Sequence, residues 1–274
     1  MIDLHSHILP GLDDGPRDIE GSLDLAREAA SQGTRTIVAT PHIRDDHPFP
    51  LDAIEGGVEE LNRALSAEEV DLEVVAGGEV SISIIPDLDE ESLRSICLGS
   101  SPYMLVESPY TQAQEFLEHV IFHLQARGFR PLLAHPERSP SFLSDWARLE
   151  RLVGREVLCS VTAMSMEGRF GQTVQRFTAR MFAAGLVHDV ASDAHDSRRR
   201  APTLLEGFQV LDRDLPGLHD QAKWFTRDAP AAVLAGEELP PGPPRVMPRR
   251  GKLRRLVGGR QGPTSGSAES APGR

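Results

Sequence analysis

The sequence predicts an α/β fold in which short parallel strands alternate with helices that cover them. Seven runs of apolar and β-branched residues, at 1–4, 36–39, 72–76, 103–106, 131–134, 157–161 and 186–190, have the length of buried strands. Longer stretches with helical spacing lie between them, at 19–32, 51–65, 113–127, 142–152 and 171–184. This repeated alternation places helices outside a parallel sheet, either open or closed into a barrel. A chain of 274 residues, 39% hydrophobic and 26% charged, is ordinary for a globular protein with one large or two small domains.

Taken in order, the first strand runs into His5-Ser6-His7. Residues two apart on a strand point the same way, so both imidazoles can meet one object at its end. The first helix has the clearest boundaries: Asp18 can N-cap it, Leu23, Ala26, Ala29 and Ala30 share a face, and Gly33 stops it. The second strand leads to Thr40-Pro41-His42 and the third to Gly77-Gly78-Glu79. That glycine pair lacks the Lys-Ser/Thr of a phosphate loop and is read as a point of close backbone approach. The fourth strand runs into Glu107, the fifth into His135-Pro136-Glu137-Arg138, and the seventh into Ser192-Asp193-Ala194-His195. From Pro240 the chain is rich in Pro, Gly, Ser and Arg and cannot bury a core, so residues 240–274 are expected to be a disordered tail.

Six of the seven expected strands thus end in His, Asp or Glu, and in βα barrels such ends converge on one face. The set mixes imidazole and carboxylate with no thiolate, which suits Zn, Mn, Fe or Mg. So many ligands exceed the needs of one ion and imply two or three, an arrangement that clamps phosphoryl oxygens and generates hydroxide near neutral pH. Arg138 follows His135 closely enough for its fork to hold a phosphate. Asp13 and Asp14 precede Gly15; one reads as a ligand and the other as the former of an Asx turn. Cys97 and Cys159 are too few for a disulfide framework and fit a reducing cytoplasm as small core residues. A Cys-x5-Arg phosphate loop is excluded, because Tyr103 and Ser165 stand where the arginine would be.

Several segments together carry a resemblance: Ile2-Asp3-Leu4-His5-Ser6-His7-Ile8-Leu9-Pro10-Gly11-Leu12-Asp13-Asp14-Gly15, Ala39-Thr40-Pro41-His42, Gly78-Glu79, Ala134-His135-Pro136-Glu137-Arg138 and Ala191-Ser192-Asp193-Ala194-His195, with Val161-Thr162-Ala163-Met164-Ser165 and Gly168-Arg169-Phe170-Gly171. In this order they resemble the polymerase-and-histidinol-phosphatase (PHP) superfamily. Within it they resemble the manganese-dependent tyrosine-protein phosphatases of bacterial capsule and exopolysaccharide operons, the CpsB/CapC class. The chain departs from that class at Ile43, where a second histidine is common, at Asp196, where asparagine is common, and at Asp228-Ala229-Pro230, where an Asn-Pro element usually closes the domain.

The resemblance implies a distorted TIM-like (β/α)7 PHP barrel over residues 1–239 with three divalent ions, Mn2+ foremost and Fe, Zn or Mg as alternatives. Carried over, His5, His7, Glu79 and Asp193 hold one ion. Glu79, Glu107 and His135 hold a second; Asp14 (or Asp13), His42 and His195 hold the third. Arg138 binds the phosphate, assisted by Arg200 or its neighbours Arg198 and Arg199. The implied activity is hydrolysis of phosphotyrosine on a bacterial tyrosine kinase that controls polysaccharide synthesis, in the cytoplasm. A small phosphate monoester such as histidinol phosphate or a nucleotide is the rival substrate, and a non-catalytic metal-binding scaffold the rival role.

Plainer readings compete at single residues. His119, His123, His188 and His219 are expected as hydrogen-bonded core residues and His47 as a solvated loop residue. Glu107 alone reads as a loop or helix-start charge, and Arg138 could pair on the surface with Glu137 or Asp145. The net charge of −12 argues against nucleic acid as a partner. The tail opposes this charge, with eight Lys/Arg against Glu269 alone, and reads either as a solvated extension or as a weak tether to anionic membrane or to a phosphorylated kinase. Oligomeric state is open.

Overall fold

A computed structural model describes residues 1–45, 50–107 and 114–249. In chain order the elements are β1 (Ile2–Ser6), α1 (Ile19–Ser31), β2 (Thr36–Ala39), β3 (His42–Ile43), α2 (Asp52–Ala67), β4 (Glu73–Ala76), β5 (Glu79–Ser81), α3 (Glu90–Ser95), β6 (Tyr103–Glu107), α4 (Gln114–Ala126), β7 (Arg130–Ala134), α5 (Pro140–Ser144), α6 (Trp146–Val153), β8 (Leu158–Thr162), α7 (Ala163–Glu167), α8 (Gln172–Ala184), β9 (Asp189–Ala191), α9 (Leu205–Asp212) and α10 (Ala229–Ala235). The fold is mixed α/β, and every strand pairing is parallel, in the orders β1-β2-β4 and β3-β5-β6-β7-β8-β9.

All seven expected strands form. The sequence did not predict β3 and β5, which continue β2 and β4 beyond Thr40-Pro41 and Gly77-Gly78 and carry His42 and Glu79. The glycines permit this close packing: a Cβ on Gly78 would lie 2.3 Å from Ile43 Cδ1, and one on Gly77 2.8 Å from Val38 Cγ1. The other end of the strand series returns to β1. Ser6 bridges Ala194, the His7 N–H donates to the Ala194 carbonyl at 2.8 Å, and the Asp193 N–H to that of His5 at 2.9 Å. The β1–β2 register shifts between Asp3 and Ser6. At this break Asp3 Oδ1 accepts the N–H groups of His5 and Ser192, so a buried carboxylate stands in for missing ladder bonds.

The helix expected over 142–152 is instead two, α5 and α6. Asp145, with φ −129° and ψ 84°, breaks the first, and its side chain accepts the Arg148 N–H to cap the second. Asp18 caps α1 through the Gly21 N–H as expected, and Leu23, Ala26 and Ala29 are buried. Both faces of the strands are covered. Val38, Leu105 and Leu132 join Leu4 and Val233 in a small cluster, while Ile37, Met104 and Leu133 face the helices in the main core.

Residues 240–249, expected at the start of the tail, lie against the body. Val246 is buried, Gln221 Nε2 donates to the Pro244 carbonyl, and the Arg249 N–H to that of Asp214. Residues 250–274, and with them most of the basic tail and its expected membrane contact, lie outside the described residues, as does His47. The core reading of the remaining histidines needs correction. His119, His123 and His219 are exposed on helical surfaces, and only His188 is partly buried, its Nδ1 accepting the Cys159 N–H.

Candidate metal centre

Parallel strands end on one side of a sheet, and the expected ligands meet there. His5 and His7 leave β1, His42 opens β3, Glu79 opens β5 and Glu107 closes β6, while His135, Asp193 and His195 follow β7 and β9. Apart from His42, which is partly exposed, and Asp14, which is exposed, all are buried. His5 Nε2 and His7 Nε2 are 3.1 Å apart; Glu79 Oε2 lies 3.2 and 3.4 Å from them, and Asp193 Oδ1 3.5 and 3.4 Å. His5, His7 and Asp193 thus converge as one group of candidate ligands, and Glu79 Oε2 approaches the same two imidazoles. Glu79 Oε2 is also 2.8 Å from His42 Nδ1, yet this buried oxygen accepts no well-directed hydrogen bond. Imidazole and carboxylate atoms crowded this closely around one buried oxygen fit a cation between them.

Three further groupings surround this one: His5, Glu79 and His135; His42, Glu79 and Glu107; and His7, Asp14, His42 and His195. His135 Nε2 contacts Glu79 Oε1 at 2.7 Å, and Asp14 Oδ1 lies 3.1 Å from His195 Nε2 and 3.5 Å from His42 Nε2. The two aspartates divide their work. Asp14 faces the cluster, whereas Asp13 Oδ2 holds His7 Nδ1 at 2.6 Å and its Oδ1 accepts the Gly15 N–H. Gly15 has to be glycine, because a Cβ there would fall 2.1 Å from the His7 carbonyl oxygen. His195 is held similarly, its Nδ1 3.0 Å from the Asp193 carbonyl oxygen. Both rings therefore turn Nε2 inward, as supported metal-binding histidines do.

Charge in the cluster is strongly perturbed. Burial alone would raise Glu79 and Asp193, but His5 with His135, and His5 with Arg138, hold them well below the usual carboxylate range. Burial and the Glu79 carboxylate push Glu107 up to about 7. Burial and Arg138 lower His135 to about 4, which keeps its imidazole neutral. The His195 ring holds Asp14 low. Backbone strain marks the same place: His135 and Asp193 adopt φ of 35° and 54°, left-handed values unusual for residues other than glycine.

Arg138 and Arg200 each place a guanidinium nitrogen 2.7 Å from Asp193 Oδ2. Arg138 therefore does not pair with Glu137 or Asp145. It lies over the Phe170 ring, 4.7 Å from its centroid, while Glu137 is buried and accepts from the Thr162 N–H and Ser165 Oγ. The sequence reading missed this support. It noted the segment from Gly168 to Gly171 without seeing that Phe170 forms the floor under Arg138. It also missed Arg44, whose Nη1 lies 3.9 Å from Glu107 Oε2, since nothing in a local window marks it.

A parallel α/β fold with a buried histidine–carboxylate cluster at its strand ends defines a metal-site protein. The chain belongs to the family described as capsular polysaccharide synthesis, CpsB/CapC, whose sequence model matches residues 1–235. It is similar to the tyrosine-protein phosphatase YwqE of Bacillus subtilis, 32% identical over 251 residues that cover 91% of this chain and 98% of that one. It is 28% identical to the tyrosine-protein phosphatase CpsB of Streptococcus agalactiae over 221 residues, 78% of this chain and 90% of the relative. Among solved structures, one from a study of YwqE from Bacillus subtilis and CpsB from Streptococcus pneumoniae, described as unique metal-dependent tyrosine phosphatases, superposes with a TM-score of 0.79 at 32% identity. It covers 91% of this chain and 100% of its own. A lactonase from Listeria monocytogenes, 12% identical with a TM-score of 0.52 over 86% of this chain and 95% of its own, shares the fold alone.

Proposed function

We propose that this chain is a metal-dependent protein-tyrosine phosphatase acting on a bacterial tyrosine kinase that regulates capsular or exopolysaccharide synthesis. The reading rests on one observation above others: His5, His7 and Asp193 converge with Glu79 beside the two imidazoles, and two arginines contact Asp193. Membership in a family whose relatives are named tyrosine-protein phosphatases supplies the substrate class. Residues 1–239 are the catalytic unit, read as a distorted (β/α)7 barrel. The β2-to-β3 and β4-to-β5 continuations and the Ser6–Ala194 bridge support that reading.

His5, His7, Glu79 and Asp193 would hold one divalent ion; Glu79, Glu107 and His135 a second; and Asp14, His42 and His195 a third, with manganese foremost. Such ions supply a hydroxide near neutral pH and positive charge against the phosphoryl oxygens. Arg138 and Arg200 would exchange part of their contact with Asp193 for the incoming phosphate, and the Phe170 ring keeps the Arg138 plane in place. Attack at phosphorus breaks the bond to the tyrosine oxygen and releases a phenolate, a good leaving group. Neither thiol can serve as nucleophile: burial pushes Cys97 up to about 12 and Cys159 higher still. A cytoplasmic location suits this substrate, and no described helix is long and apolar enough to cross a membrane.

The test is turnover of a phosphotyrosine peptide by metal-stripped protein with Mn2+ restored, with His135→Ala as control. Activity should return with the metal and be lost by about two orders of magnitude or more in the variant. Tight metal binding without phosphotyrosine turnover would shift the substrate to a small phosphate monoester.

A further inference from the structure

We infer that Arg198 and Arg199 form a second anion-binding subsite beside the metal cluster, selecting phosphotyrosine substrates that carry an additional negative group next to the scissile one. This rests on the phosphatase reading and deepens it. The two arginines stand on a turn between His195, in the cluster, and Arg200, on Asp193. The turn is tightly built. The Asp196 carboxylate accepts the backbone N–H groups of Arg198 at 2.7 Å and Arg199 at 2.5 Å, and the N–H of His195 donates to the Arg200 carbonyl at 3.0 Å. From the turn after α7, the Arg169 guanidinium donates to the Arg199 carbonyl at 2.7 Å. Asp196 thus braces the turn through the backbone, and the Arg199 charge helps hold its carboxyl low.

Arg198 and Arg199 are exposed, and their guanidinium groups form no hydrogen bond or ion pair among the described residues. The chain carries 41 acidic against 29 basic residues, so two exposed cations on a braced turn next to His195 run against the general field. Guanidinium forks suit carboxylate and phosphate equally, so the chemistry recognised is an anion on the peptide flank.

Three phosphotyrosine peptides separate the cases: one with glutamine flanks, one with glutamate flanks and one with a second phosphotyrosine. The wild-type holoenzyme should favour the charged peptides over the neutral one by about tenfold in kcat/KM, through KM, as two exposed charge pairs allow. In Arg198→Gln/Arg199→Gln that ratio should fall toward one, and in Arg198→Glu/Arg199→Glu it should invert. A preference confined to the second phosphate identifies phosphate as the group read. Equal ratios in wild type and both variants overturn the inference alone, whereas failure of the wild type on all three peptides overturns the phosphatase reading itself.

Discussion

Asp13 holds His7 through its outer nitrogen while also binding the N–H groups of Gly15 and His42, so one carboxylate fixes a ring, a turn and the start of β3. Its partners depress it to about 2 against the upward pull of burial, and it stays anionic through the working pH range. Asp13→Ala should therefore weaken Mn2+ binding about 10–100-fold, as loss of such outer partners does, with the fold retained. Calorimetric titration reads this directly, and unchanged affinity would reduce Asp13 to a turn former. The left-handed backbone at His135 and Asp193 belongs at the same scale, since each kink redirects a side chain where a strand ends.

Among the elements, the break between α5 and α6 shows local capping overriding a continuous apolar pattern. Apolar spacing over 142–152 suits one helix, yet Asp145 finds a better partner in the Arg148 N–H than in a helix interior. Asp145→Ala removes that cap and should cost about 1 kcal/mol in urea unfolding. A cost near zero would mean that packing of Leu149 and Leu152 alone sets the start of α6. The short strands β3 and β5 escaped the sequence reading for a related reason. Two- and three-residue strands have no periodicity to detect, and they exist because Gly77 and Gly78 let the two chain segments approach.

Across the whole molecule, burial sets the protonation of groups that lie beneath the centre. Asp189, on β9, is buried and pushed up to about 8, although Ser160 Oγ donates to its Oδ2. Between about pH 4 and 8 the unfolded chain releases a proton that the fold retains, so this residue lowers stability as pH rises, by at most about 1.4 kcal/mol per pH unit. Asp189→Asn should remove that slope, and its melting temperature relative to wild type should climb from pH 5 to pH 8. A difference independent of pH would show that Asp189 is already ionised in the fold.

The seven longer strands and the His, Asp and Glu residues at their ends were readable from short windows, as was a division of labour between Asp13 and Asp14, but not which aspartate forms the turn. Alternation of apolar runs, Asp-Gly turns and His-x-His spacing are local properties with local physical causes. Which histidines meet around Glu79 was not readable, because His5, His42 and His135 reach it from three different strands. Nor was the placement of Arg138 on Phe170 and Asp193, residues far apart in sequence that meet only when β7, β8 and β9 stack in register. Side-chain chemistry is written residue by residue, but distance, burial and hence charge state arise only when the chain packs.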